Sequence, residues 1–360
     1  MDLLCRQLVL RRLWLSLPVS HHPCFRGISI KSSLSLPWYH EHLGTRNRRE
    51  RGHKSPIKVE EHNTGILRTP GVVPVDKLTK ETLCQLLAQN VVFREGPLVA
   101  INKPQGLRIT ESSSETSVMS LLPELQQLLQ IESELQVVKA APKQSSGLVL
   151  LSSCHVTTKR LEDYYTQCRK SRKPFTTFCA ITLGVPSPAE GDVKVVLKVE
   201  QIGDLDLAVP VMHPTKGSLE RREVKRTETC YKVLNSVDEC SLLQLQPMTT
   251  FQDQLLVHCT LKFCPVLGDH TYSARVAKVL GQNICVPVEN ALPKTQLVDE
   301  SILRRMHFPL HQVHRMPLHL HLHQLLMPSD RRGQYPAQLT APPPPFFQKT
   351  MELLGLKMEK

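Results

Sequence analysis

Aromatic residues are scarce, at 5% of the chain, and no stretch has the roughly 20 apolar residues needed to cross a bilayer as a helix. Eleven cysteines are scattered without a single Cys-x-x-Cys pair; Cys259 and Cys264 are the nearest neighbours. That usage fits reduced thiols in a reducing compartment, and it argues against a disulfide framework or a zinc finger. A dinucleotide-binding glycine motif, a P-loop, a nucleophile-elbow serine and an HExxH helix are all missing. Acidic residues are nearly absent from one end. Between Met1 and His40 only Asp2 is acidic, while Arg6, Arg11, Arg12, Arg26 and Lys31 lie among leucines and serines. This is the composition of a mitochondrial presequence, and Arg11-Arg12 interrupts the only run that could serve as a secretory h-region.

What the chain does have is 360 residues, 41% of them hydrophobic, enough to bury a real core. Its formal charge of +12 favours a polyanionic partner: RNA, DNA or an anionic membrane surface. Four parts are expected. Residues 1–40 read as the presequence. Residues 41–75, with the cluster Arg46, Arg48, Arg49 and Arg51, read as a basic disordered linker. Residues 76–328 read as one folded domain, and 329–360, with Pro342 to Pro345, as a mobile tail.

Within the central part, Leu83, Leu86 and Leu87 fall at helical spacing behind a cap at Asp76 or Thr79. Val91 to Phe93 and Leu98 to Ile101 flank a Glu-Gly-Pro turn and read as a hairpin. Val118, Leu121, Leu122, Leu125, Leu128 and Leu129 mark one apolar helix face. Ser145-Ser146-Gly147 opens into Leu148 to Leu151, a run short enough for a buried strand. A helix from about Thr157 to Lys170 carries Lys159, Arg160, Arg169 and Lys170, followed by Arg172 and Lys173; this concentration fits a phosphate-contacting edge or a solvated helix face. Further strands are expected over 175–184, 191–199, 225–234 and 241–246. Leu318 to His323 alternates as a half-buried strand does. Its His319, His321 and His323 could bind zinc as neutral imidazoles, yet no acidic or cysteine partner stands at fixed spacing nearby.

Several of these stretches, in this order, resemble the RluA-type RNA pseudouridine synthases. The family opens its catalytic domain with an apolar strand and Asn-Lys-Pro-x-Gly, as at Asn102-Lys103-Pro104-x-Gly106. Its active-site segment runs His-Arg-Leu-Asp-x-x-Thr-Ser-Gly; aligned on Ser145-Ser146-Gly147, the first four positions hold Lys139, Ala140, Ala141 and Pro142. Its Lys-x-Tyr-x-Ala corresponds to Thr176-x-Phe178-x-Ala180, with Gly184 beyond. Its Thr-Gly-Arg-x-His-Gln-Ile-Arg-x-His corresponds to Thr249 through His258, where Phe251 and Leu256 stand at the arginines. Pro265-Val266-Leu267-Gly268-Asp269-x-x-Tyr272 completes the series.

The resemblance implies an α/β (α+β) pseudouridine synthase fold: a central, largely antiparallel mixed sheet with flanking helices and an RNA cleft. It implies uridine isomerisation in mitochondrial messenger or ribosomal RNA, in the matrix, without metal or organic cofactor. Mitochondrial ribosome-assembly or RNA-granule proteins are the further partners it suggests. Phe178, Asn102, Lys103 and Lys143 are the substrate-contacting residues it points to. The family's catalytic aspartate falls on Pro142 and its arginine partner on Phe251, so an ion pair is missing as a unit; replacing both partners by apolar groups can be close to neutral for folding. No aspartate lies between Asn102 and His155. Asp253 and Asp163 are the substitutes to consider, against ordinary surface or capping roles for both. The alternative is an RNA-binding protein with impaired chemistry.

Overall fold

The computed structural model describes residues 65–69, 72, 75–110, 115–328 and 336–358. The expected presequence, and the linker up to residue 64, lie outside the described residues. Strands β1 (Val91–Glu95) and β2 (Leu98–Lys103) form the expected hairpin. It follows helix α1 (Lys80–Gln89), whose first turn is capped by the Thr79 hydroxyl. Helix α2 (Val118–Leu128) is held by a reciprocal capping box between Ser117 and Ser120. Next come β3 (Gln136–Ala140), β4 (Ser146–Ser152), helix α3 (His155–Lys170) and β5 (Thr176–Leu183). Two long strands, β6 (Glu190–Ile202) and β8 (Lys225–Val237), enclose β7 (Leu205–Val211) and the short helix α4 (Lys216–Glu220). After β9 (Cys240–Pro247) come helix α5 (Gln254–Leu261) and the separate hairpin β10 (Val276–Val279) and β11 (Gln282–Cys285). Helix α6 (Glu300–Arg305), β12 (Leu320–Leu326), β13 (Gln338–Thr340) and helix α7 (Pro345–Leu354) complete the series.

Eleven strands make one sheet with the path β1-β2-β4-β12-β5-β9-β8-β6-β7, while β3 pairs with β4 and β13 with β12. Each of these pairs is antiparallel except β4 and β12. Those two meet near the middle. One edge of β4 pairs with β3 over Val149 to Ser152, and the same edge pairs with β12 over Ser146 and Gly147. Gly147 has φ +120°, and a Cβ there would collide with the backbone of Leu322. Only glycine allows β12 to approach this closely. Gly147→Ala is expected to cost more than about 1 kcal/mol of stability, read as a lower denaturation midpoint; an unchanged midpoint would contradict this account of the junction.

Both faces of the sheet centre are covered, which explains why β2 and β4 read as continuous apolar runs rather than alternating ones. On one face Val99, Ile101, Val149 and Leu151 pack against Leu83, Leu87, Leu121 and Leu125 of α1 and α2. The opposite side chains, Leu98, Ala100, Leu148 and Leu150, join Leu161 and Tyr165 of α3 in the largest core. A third core forms behind β5, where Cys179 and Ile181 meet Phe346, Phe347 and Ile66.

That third core corrects two expectations. The segment 329–360 is no mobile tail where the structure describes it: β13 adds to β12, and α7 buries Phe346 and Phe347. Its prolines suit this arrangement, since Pro345 stands in the first turn of α7, where no amide donor is needed. Order also begins before Asp76, because Ile66 is fully buried in the same core.

The three strand histidines are structural. His321 Nε2 lies 3.0 Å from the Ala341 carbonyl and Nδ1 2.9 Å from the Ser146 hydroxyl. With Ala341 able only to accept, the ring is protonated on Nε2 and accepts from Ser146 on Nδ1. His319 meets Thr350 and the Leu267 carbonyl, and His323 meets Ala341. These ring nitrogens bond within the chain, and no group of metal-ligating side chains occurs among the described residues.

Candidate active site

Where β4 passes from β3 to β12, the sheet opens into a cavity of about 140 Å³, roughly ten times the 10–15 Å³ that one water requires. Stretches far apart in sequence converge on it. The β3–β4 connection contributes Pro142, Gln144 and Ser145, and the end of β3 adds Lys139. The start of β5 contributes Phe175, Thr176 and Phe178, and the end of α3 contributes Arg169. The β9–α5 connection brings Thr249 through Phe251 and Asp253, and Leu320 and Leu322 of β12 line the wall as well. A largely apolar slot with a few placed polar groups is the usual form of a small-molecule site.

The β9–α5 connection is fixed at both ends. Gln254, buried at the start of α5, donates to the Glu228 carbonyl at 3.0 Å and to the Thr229 hydroxyl at 2.9 Å. Its amide oxygen accepts from the Thr249 hydroxyl at 3.0 Å. One turn further, His258 Nε2 pairs with the Thr227 hydroxyl at 2.9 Å, and burial pulls that ring down to about 4. Thr249, Gln254 and His258 are the residues of this motif that match the family, and all three fasten the connection to β8.

Asp253 stands between the two anchors with φ +48°, a left-handed conformation that few residues other than glycine adopt. As the residue preceding α5 it could cap the helix, yet its side chain makes no capping bond. Instead Tyr272 Oη donates to Oδ2 at 2.9 Å, and Gln144 Nε2 donates to Oδ1 at 3.3 Å. An ionised carboxylate only accepts, so the tyrosine donates here; its oxygen in turn accepts from the Ala208 amide at 3.0 Å. Tyr272 is itself held by Asp269, whose Oδ1 accepts from the Thr271 and Tyr272 amides. Burial raises the pKa of Asp253, and the tyrosine hydrogen bond partly opposes the rise. Burial likewise lifts Asp269 to about 6.

Positive charge lines the cavity too. Lys139 Nζ sits 5.2 Å from the centre of the Phe175 ring, in cation–π range. Burial first, and Arg169 second, pull its ammonium down to about 8.

Pro142 and Phe251, the two positions of the missing ion pair, therefore lie in one cavity, as does Phe178. Asp253 lies there and Asp163 does not; the latter is exposed on α3. The other three residues marked as substrate contacts are engaged elsewhere. Asn102 donates to the Pro342 carbonyl, Lys103 is buried with Nζ on the Pro104 and Ser145 carbonyls, and Lys143 pairs with Glu115. Sequence reasoning gave no role to Tyr272, Gln144 or Lys139. Tyr272 stood in a matched motif, but its reach to Asp253 exists only in the fold.

This fold, with this cavity at its centre, places the chain in a class: it belongs to the RNA pseudouridylate synthase family, whose profile matches residues 97–261. Among its relatives is the human mitochondrial mRNA pseudouridine synthase RPUSD3, 47% identical over 290 residues, which are 80% of this chain and 82% of that protein. The Xenopus tropicalis mitochondrial pseudouridylate synthase RPUSD4 is 31% identical over 282 residues, 74% of this chain and 80% of the relative. The solved structure of human RNA pseudouridylate synthase domain containing 4 superposes with a TM-score of 0.61 at 23% identity, covering 78% of this chain and 98% of that one. The fold expected from the sequence is thereby borne out.

Proposed function

We propose that this cavity receives one uridine of a mitochondrial RNA, drawn out of its base stack, and isomerises it to pseudouridine in the matrix. The observation that carries the reading is the convergence of the family's segments, from Lys139 to Asp253, on a single slot with aromatic and cationic walls. Phe178 and Phe251 on the walls offer apolar ring surface to a base, while the Phe175 ring is already covered by Tyr165 and Lys139. Lys139 and Arg169 supply positive charge for the phosphate beside it or for the ring. Messenger RNA is the substrate class favoured, since the human relative at 47% identity is named for it; ribosomal RNA is the second. Support of mitochondrial translation follows, alongside ribosome-assembly or RNA-granule proteins. A binding-only role draws no support from relatives named as synthases, and the cavity retains a carboxylate at Asp253.

Pseudouridine maps of mitochondrial RNA from cells with and without the protein test this. Defined sites are expected to disappear without it and to return when the natural chain is restored. An unchanged map would overturn the reading.

A further inference from the structure

We propose that Asp253 is the carboxylate that acts on the ribose of the bound uridine, from a position other than the one the family's active-site segment uses. The inference deepens the uridine-isomerase reading and rests on it. Among the described residues lining the cavity, Asp253 is the only carboxylate. It also sits beside the vacated position, because its Oδ1 is bonded by Gln144, two residues beyond Pro142 in the same turn. A residue merely capping α5 would turn its side chain onto the helix amides. This one is held off them, in a left-handed backbone, by a tyrosine that donates to its Oδ2 while accepting from the Ala208 amide. The clamp orients the carboxylate, and each oxygen keeps a further lone pair for the slot.

The chemistry needs such a group. Breaking a glycosidic bond leaves positive charge at C1′, and an adjacent carboxylate meets it by forming a bond. A carboxylate oxygen of Asp253 attacks C1′ while the C1′–N1 bond breaks and N1 keeps the electron pair. The resulting uracil anion is balanced by Lys139 and Arg169. After the ring turns, C5 attacks C1′, the ester C1′–O bond breaks, and its electron pair returns to the carboxylate. C5 then releases its proton to solvent and N1 gains one, so atoms and charge balance. The sequence of steps is redox-neutral.

The test uses the full chain and mitochondrial transcripts carrying 5-tritiated uridine, with tritium release as the readout and filter binding of the same RNA beside it. Asp253→Asn keeps the shape and the tyrosine contact. It is expected to slow release by about 100-fold or more, with RNA affinity close to that of the natural chain, while Asp163→Asn keeps the natural rate. Tyr272→Phe removes a donor that favours the ionised acid, so the acid limb of its rate profile is expected to move to higher pH. Full activity of Asp253→Asn would overturn the assignment of Asp253 alone. No release by the natural chain from any mitochondrial transcript would overturn both this proposal and the reading beneath it. If Asp253→Asn fails to fold, Tyr272→Phe decides: a shifted limb supports the proposal and an unmoved one overturns it.

Discussion

Stability is expected to fall steeply as the pH drops from 6.5 towards 4, before general acid unfolding sets in. His258, His319 and His321 are buried, and burial pulls each ring from 6.5 down to about 4. In the native state they stay neutral through that window, whereas in the unfolded chain they take up protons. At these three rings the unfolded state binds more protons, while below about 6 the native state holds one more at Asp269. The rings outnumber it, so on balance stability rises with pH across the window and is lost as pH falls through it. A displacement of this size corresponds to about 3 kcal/mol per ring. Denaturant midpoints measured at closely spaced pH values would show the slope. Replacing His319 and His321 together by glutamine would flatten it while lowering stability at neutral pH. A native chain whose midpoints stay level across this window would contradict the burial of these rings.

Phe347→Ala is expected to cost about 3–5 kcal/mol, the range for removing a fully buried phenylalanine. Phe347 has no exposed surface, packs in the core that holds Ile66 and Phe308, and its ring centre lies 5.6 Å from that of His319. The loss would show as a lower denaturation midpoint with an unchanged denaturant slope. A variant as stable as the natural chain would mean that α7 does not close this core.

That helix also marks where the sequence stopped being legible. The hairpin at Val91, the helix behind Thr79 and the buried strand opening at Gly147 follow from local patterns, because spacing and turn residues act within a few positions. The four prolines from Pro342 to Pro345 suggested a free tail, since proline breaks regular structure. Yet the next residues, Phe346 and Phe347, are the pair that seals the third core, and only the folded sheet offers them a surface. The site divides in the same way. Pro142, Phe251 and Phe178 were legible because each sits in a matched motif, and the fold gathers them into one cavity. Asn102, Lys103 and Lys143 sit in or beside such motifs too, but their polar atoms are engaged within the chain. Asp253 became distinct from Asp163 only in the fold, which puts it in the cavity and under a tyrosine 19 residues further along.

The most direct measurement is nucleoside analysis of mitochondrial transcripts incubated with the purified full chain. Pseudouridine appearing in place of uridine, at sites that depend on the protein in cells, is the result this account predicts. Tight RNA binding with no pseudouridine formed would contradict it.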